Sequence, residues 1–385
     1  MVLLLKGLIY PLQFNIKSRL GALIGLAAYK MMRNSRNTAI ENIVRAIPEL
    51  SHSQAIKIAK SSFINMGRNV FEAIHLERMK PEDVQKLVEY EGLEYFDKAM
   101  KEGKGLVVIT GHLGNWEMFQ AAMSTLGYPV TVLAQRYSNP YINEMITRIR
   151  NASGTSVIIR RSGKERELMK GVLKALANCH ALGILIDHYT KKNGIAVPFL
   201  NTETSAPAGP ALFAMRTGAP VIFGYAMRLP NERFKVKFQP SFKALNGKNR
   251  DLALYLNTAN FLEAIEEEIL NYPEQWAWMH KFKRKHRKSI RRIDFKKLPK
   301  VTIFSKKECC LCDDAKKIIE KISRRYPFKL EAIDITDDKE KLDAYGNEVP
   351  VVLIEGKKLF KLGVDKKRFE KRIIDYLYNM NSDES

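Results

Sequence analysis

Between Gly105 and Met227, short aliphatic runs alternate with longer runs of helical spacing, and this alternation restricts the chain to an α/β fold with a mostly parallel sheet flanked by helices. GLVVIT (105–110) has the length and β-branched content of a buried strand, 116–126 has helical spacing closed by Gly127, and PVTVLA (129–134) is a second strand. A helix over 140–151, a strand over 156–159, a helix over 164–178 and a strand over 181–186 repeat the unit. A helix over 207–217, strands over 220–227 and 234–238, and a helix over 252–270 complete a first domain. Upstream, residues 37–79 show helical spacing, with Ser51 and Ser53 ahead of an apolar-periodic run from Ala55 to Ile74.

The charge is uneven. The 385 residues carry a formal charge of +22, yet residues 300–385 hold 19 basic and 17 acidic residues, leaving 45 basic and 25 acidic on residues 1–299. A field of that sign attracts nucleic acid, anionic lipid or an acidic protein, and charge alone does not choose among them. KFKRKHRKSIRRIDFKKLPK (281–300) has 11 basic residues and one acid, and marks either a solvated linker or a head-group contact. The N-terminal stretch is apolar but broken by Lys6, Pro11, Lys17 and Arg19, too interrupted for a clean span. It reads as an amphipathic or weak membrane anchor, or else as a core helix packed on the first domain. If it spans, Lys30, Arg33 and Arg36 place the bulk of the chain on the cytoplasmic side. Four cysteines, three of them within 309–312, do not make a secreted disulfide framework.

GLVVITGHLGNWE puts His112 and Glu117 just past a strand end, where open α/β sheets expose reactive groups. An imidazole there can remove a hydroxyl proton while a carboxylate on its other nitrogen fixes the tautomer, which is the requirement of acyl transfer to an alcohol. The remaining histidines, His52, His75, His180, His280 and His286, have no acid at an informative spacing and read as structural. A metal site from His112, Glu117, Asp187 and His188 is conceivable, but this chemistry needs no metal.

The same residues carry a resemblance. NTAIENIVRAIPELS, GHLGNWE, AQRYSNP (134–140), Arg148 and Arg150, IDH (186–188) ahead of VPFL, TGAPVIF and PEQWAWMHKFKRK occur in order over residues 20–285. Together they resemble the bacterial lauroyl and myristoyl acyltransferases of lipid A biosynthesis, within the glycerolipid and lysophospholipid acyltransferase group that carries a His-x4-acid motif. The resemblance implies that His112 is the general base and Glu117 its partner. It points to Arg148 and Asp187 as oxyanion or substrate-binding residues, and Arg136 and Arg228 are further phosphate-contact candidates. It also implies an acyl donor on acyl carrier protein or coenzyme A, no tightly bound cofactor, a glycolipid acceptor such as a lipid A precursor, and the cytoplasmic face of a bacterial inner membrane with its anionic surface. Another glycolipid acceptor, for example a mannosylated phosphoinositide, remains open. So does a basic nucleic-acid-binding protein with a redox module, although no Cys/His finger or RNA-binding signature is present and no nucleic-acid partner is expected.

VTIFSKKECCLCDDAKKIIEKI places Cys309 and Cys312 at a loop-to-helix junction, where the helix dipole lowers a thiol pKa. With NEVPVVLIEGKKL downstream, residues 300–375 resemble the glutaredoxin-like family. The resemblance implies a small thioredoxin-like α/β domain with Cys309 attacking, Cys312 resolving and Pro350 facing them as a cis-proline. The dipeptide between the cysteines is Cys310-Leu311 rather than Pro-Tyr, so a docking module without redox activity is the alternative. Cys179 is expected buried between a helix and a strand. The expected organisation is a membrane-associated segment (1–35), an acyltransferase domain (36–285), a basic linker (286–299), a glutaredoxin-like domain (300–378) and a tail (379–385).

Overall fold

A computed structural model describes residues 12–161, 163–190, 194–247, 249–280 and 297–381. The described chain packs as two units, one of residues up to 195 with 199–244 and 260–280, the other of 196–198, 245–259 and 297–381. Most of the expected basic linker, the first eleven residues of the N-terminal segment, and the last four of the tail lie outside the described residues.

Three helices open the first unit: α1 (Phe14–Met31), α2 (Arg33–Ala46) and α3 (His52–Leu76). Helix α3 begins at Ser51, which forms a capping box with Gln54, so the start signal lies where the sequence puts it. Helix α1 crosses α3 backbone to backbone: a Cβ added at Gly21, Gly25 or Gly67 would overlap the facing main chain. Its other side leaves Leu23 63% and Met31 80% exposed. Among the described residues no helix is long and apolar enough to cross a membrane.

Helix α4 (Pro81–Lys86), strand β1 (Val88–Glu91) and helix α5 (Leu93–Met100) lead into the alternating part. There β2 (Leu106–Thr110), α6 (Trp116–Thr125), β3 (Val130–Gln135), α7 (Pro140–Ala152), β4 (Ser156–Arg160), α8 (Glu165–Ala177) and β5 (Ala181–Leu185) follow in turn. A two-stranded sheet of β6 (Gly194–Phe199) and β7 (Thr202–Pro207), then α9 (Gly209–Thr217), β8 (Val221–Arg228), β9 (Phe234–Phe238) and α10 (Arg250–Asn271), come next. The main sheet has the order β1-β9-β8-β2-β5-β3-β4. Strands β8, β2, β5, β3 and β4 are parallel, whereas β9 runs antiparallel to β8 and pairs in parallel with β1. All five residues of β2 are buried, as expected for a central strand covered on both faces. The central pairing of β2 with β5 brings two strand ends level, residues 110 and 185, and the segments bearing His112 and Asp187 leave from them, while β8 runs on past this point to residue 228.

In the second unit, β10 (Lys300–Ser305), α11 (Cys310–Ser323), β11 (Lys329–Asp334), α12 (Lys339–Tyr345), β12 (Val351–Ile354), β13 (Lys357–Lys361) and α13 (Lys366–Asn381) build a four-stranded sheet of order β11-β10-β12-β13 with helices. Strand β10 is parallel to β11 and antiparallel to β12. This is the small α/β domain expected from the sequence.

Candidate functional site

His112 leaves the end of β2 and Asp187 follows the end of the neighbouring parallel strand β5. The two strands therefore deliver an imidazole and a carboxylate to each other across 75 residues. Asp187 Oδ1 lies 2.9 Å from His112 Nδ1, and Asp187 Oδ2 accepts the His112 backbone N–H at 2.5 Å. Oδ2 also accepts Trp276 Nε1–H at 2.7 Å. The Asp187 side chain is fully buried and that of His112 is 20% exposed. Gly111 makes this approach possible, because a Cβ there would lie 2.8 Å from Asp187 Oδ2. Gly114, at φ +61, turns the chain against Ala226 of β8.

The contact expected between His112 and Glu117 is not the one formed. Glu117, in the first turn of α6, takes Arg150 instead, with Nε to Oε2 at 3.0 Å and Nη2 to Oε1 at 2.6 Å. Both are almost fully buried. His112 has its carboxylate hydrogen bond from Asp187, the residue the resemblance placed among substrate or oxyanion groups. Arg148, expected at the site, is half-exposed and pairs with Glu77 at 2.5 Å. Two residues apart on α7, Arg148 and Arg150 point about 200° apart, so only one can face inward. The inward one is Arg150, beside buried Ile149. The apolar positions Ile146 and Ile149 mark that face in the sequence.

Arg228 also differs from expectation. It is buried, with Nη1 and Nη2 at 2.6 and 2.7 Å from the two oxygens of Glu72 and Nη2 at 2.9 Å from Asn69 Oδ1. Its donors serve α3, which corrects the reading of it as a phosphate contact. Arg136, in contrast, sits on the rim of a groove of ≈ 650 Å³ that His112 also lines, together with Tyr137, Arg150, Arg160 and His188. A smaller, largely apolar cavity with Trp116, Phe119, Met123 and Val132 in its walls shares Leu133, Arg150, Ile184 and Leu185 with the groove.

Burial alone would lower the pKa of His112. The Asp187 carboxylate, through its charge and hydrogen bond, and Glu117, through its charge, outweigh burial and raise it. Burial likewise favours the neutral form of Asp187, but His112 and the Trp276 hydrogen bond reverse that and hold it below the usual carboxylate range. His280, read from sequence as structural, lies with its ring centroid 4.7 Å from that of His112. Burial, followed by the charge of His112, pushes it down to about 4. Burial also lowers His188. Of the three imidazoles only His112 is shifted toward holding a proton, while His188 and His280 are shifted away from it. Among the described residues no group of three or more His, Cys, Asp or Glu is arranged to hold a metal ion.

The loop that supplies Trp276 is held from the N-terminal helices. Ser62 Oγ donates to the Trp276 carbonyl at 2.5 Å and Asn42 Nδ2 to the Trp278 carbonyl at 2.9 Å. Ala277 N–H returns to the His112 carbonyl at 3.2 Å. Trp276 lies within the stretch PEQWAWMHKFKRK, and nothing in its spacing announces the hydrogen bond to Asp187.

In the second unit, Cys309 and Cys312 form a disulfide with a Cα–Cα distance of 5.3 Å at the start of α11. Cys312 is fully buried, packed with Phe304, Val349 and Val351, and Cys309 lies against that cluster. The Val349-Pro350 bond is cis. Cys310 is exposed. Cys179 is half-buried rather than buried, at a positive φ of 57° that ends α8, with its Sγ 3.4 Å from the Gly103 carbonyl.

Residues 2–284 match the family described as bacterial lipid A biosynthesis acyltransferase, and residues 300–374 match a glutaredoxin-like domain. The chain is 23% identical over 273 residues to a lipid A biosynthesis palmitoleoyltransferase of Escherichia coli, covering 70% of this chain and 85% of that protein. It is 22% identical over 278 residues to the lipid A biosynthesis lauroyltransferase of the same organism, covering 71% and 87%. A phosphatidylinositol mannoside acyltransferase of Mycolicibacterium smegmatis is 21% identical over 235 residues, covering 61% and 75%.

Proposed function

Because this chain belongs to the bacterial lipid A biosynthesis acyltransferase family and is an O-acyltransferase with a glutaredoxin-like domain at its C-terminus, we propose that it moves a fatty acyl chain from acyl carrier protein, or from coenzyme A, onto a hydroxyl of a lipid A precursor. The observation that carries the mechanism is the buried Asp187 carboxylate on His112 Nδ1. With Nδ1 engaged, Nε2 is the ring nitrogen available to take the hydroxyl proton as the oxygen attacks the thioester carbonyl. The tetrahedral intermediate then expels the thiolate, the proton on His112 leaves with it, and no covalent enzyme intermediate is required. Asp187 remains ionised throughout and stabilises the imidazolium.

Glu117 acts one step removed, holding Arg150 at the junction of the groove and the apolar cavity. Arg150 faces the developing oxyanion in this reading, as a guanidinium already fixed by its carboxylate. The apolar walls accept the first methylenes of the acyl chain. Arg136 and Arg160 give the groove a basic rim suited to a phosphorylated acceptor or the phosphate of a carrier's prosthetic arm. The exposed apolar side of α1, next to Lys30, Arg33 and Arg36, supports an in-plane contact with an anionic bilayer on the cytoplasmic face of the inner membrane. Mass spectrometry of the lipids from cells with and without the gene tests the reading. A lipid A species lacking one acyl chain is the expected result. An unchanged lipid A with a different glycolipid under-acylated, such as a mannosylated phosphoinositide, would replace the acceptor and keep the chemistry.

A further inference from the structure

The turn that carries His112 is held from behind by a buried polar network that touches neither groove nor cavity. Asn69 of α3 donates through Nδ2 to the Gly114 carbonyl at 2.6 Å and accepts from Arg228 through Oδ1. One turn along α3, Glu72 accepts from Asn115 Nδ2 at 2.7 Å, from both terminal nitrogens of Arg228, and from Ser18 Oγ of α1 at 2.7 Å. Asn115 is also the N-cap of α6: its Oδ1 accepts from Glu117 N–H at 3.1 Å and Met118 N–H at 2.9 Å. Glu72 and Asn115 are fully buried, and Asn69 is 4% exposed. A buried Glu–Arg pair is weak evidence of stabilisation, since well-packed apolar residues commonly do as well. A fully hydrogen-bonded network, however, fixes one geometry.

We propose that Asn69, Glu72 and Arg228 are positioning residues for acyl transfer, which lock the Gly111–Asn115 turn so that His112 meets Asp187, and that Ser18 makes the seating of α1 part of that lock. The proposal rests on the reading of His112 as general base. The two ends of the Asn115 amide hold the turn in different ways. Its oxygen organises the N-terminus of the helix bearing Glu117, its nitrogen is tied to Glu72, and its neighbour Gly114 is tied to Asn69. Rotation of this one side chain, three residues after His112, would loosen the turn just C-terminal to Leu113. Misplacement of a reacting group by about 1 Å is enough to cost about a hundredfold in rate. Through Ser18, a helix whose outer side is apolar and exposed is two hydrogen bonds from the Asn115 side chain.

The test uses the full chain with an acyl carrier protein thioester and a lipid A precursor, beside His112→Ala as control. No turnover by the unmutated protein would reject the proposed function itself, independently of this inference. Asn115→Ser keeps a capping oxygen and drops the donor to Glu72; Asn115→Asp keeps the cap and sets a second carboxylate against Glu72. Asn115→Ser should lower kcat about ten- to a hundredfold, with KM within about twofold, unchanged far-UV dichroism, and the acid limb of the kcat profile moved to lower pH as the Asp187 contact loosens. Asn115→Asp should be worse. Ser18→Ala should lower kcat a few-fold and Ser18→Thr should restore it. Full kcat in Asn115→Ser, or a loss seen only as a raised KM, would overturn the positioning role. Full kcat in Ser18→Ala would overturn the link to α1.

Discussion

Replacing Asp187 by Asn tests the site most directly, because it changes one atom type at a carboxylate whose three hydrogen bonds are all on the page. Asp187 accepts from His112 Nδ1, the His112 backbone and Trp276. An amide can turn its oxygen toward the two N–H groups that now share Oδ2, but its NH2 then faces His112 Nδ1. That arrangement requires Nδ1 to accept, which puts the imidazole proton on Nε2, the position that must be empty to receive the hydroxyl proton. A wrong tautomer of this kind costs on the order of 10³ to 10⁴ in rate, or about 4 to 5.5 kcal/mol of transition-state stabilisation. The residual activity should have its acid limb at lower pH, since the largest influence raising the His112 pKa is gone. Single-turnover acyl transfer gives the rate, and ¹⁵N spectra of the imidazole give the tautomer. The reasoning fails if Asp187→Asn keeps more than about a tenth of the rate. It also fails if Glu117→Gln collapses the acid limb while Asp187→Asn leaves it in place.

The other expectations follow from the same geometry. His112→Ala should remove at least about a hundredfold of activity while leaving the fold intact, checked by kinetics beside dichroism. Arg150→Ala leaves Glu117 buried without its partner and should destabilise the first unit by about 3–5 kcal/mol, read from urea unfolding. The raised pKa of His112 contributes stability that is complete below about pH 6.5 and lost as pH rises through its folded value; the depressed pKa of Asp187 contributes stability that is present above about pH 4 and lost as pH falls. The pair therefore stabilises most between those limits, whereas turnover needs neutral His112, so the unfolding midpoint and kcat should move in opposite directions as pH rises above about 6.5 and through the raised pKa of His112. After reduction, iodoacetamide should label Cys310 and Cys309 ahead of fully buried Cys312, and peptide mapping that finds Cys312 labelled first would contradict the packing of α11.

The alternating units were legible because each carries its own signal, an aliphatic run for β2 and a glycine after α6, and Ser51 likewise marks the start of α3. Strand β1, helix α5 and the pair β6–β7 were not read. TETSAP in β7 has no aliphatic or aromatic residue but Ala206 and Pro207, and β1 is only four residues long, Val-Glu-Tyr-Glu, with its strand identity coming from pairing with β9. In the site, the His112 turn could be read from a strand end followed by glycines. The partner of His112 could not be settled that way, since Glu117 is five residues away along the chain while Asp187 is placed by the pairing of β2 with β5. Arg228 shows the same limit: a basic residue at a strand end looks available for phosphate until α3 brings Glu72 and Asn69 to it.

Trp276 gives the site an order of assembly. Its indole completes the hydrogen bonding of Asp187, and its loop returns to the His112 carbonyl. During synthesis, the chain through β9 has already made both His112 and Asp187, but it has nothing to occupy the Trp276 side of the carboxylate. A buried anion with a missing donor is costly, so the expected outcome is that the site reaches its final geometry only once residues 276–280 have docked on Asn42 and Ser62. Released chains truncated at residue 272 should bind no better than unfolded protein to a probe of the His112 groove, and released chains ending after residue 285 should bind it.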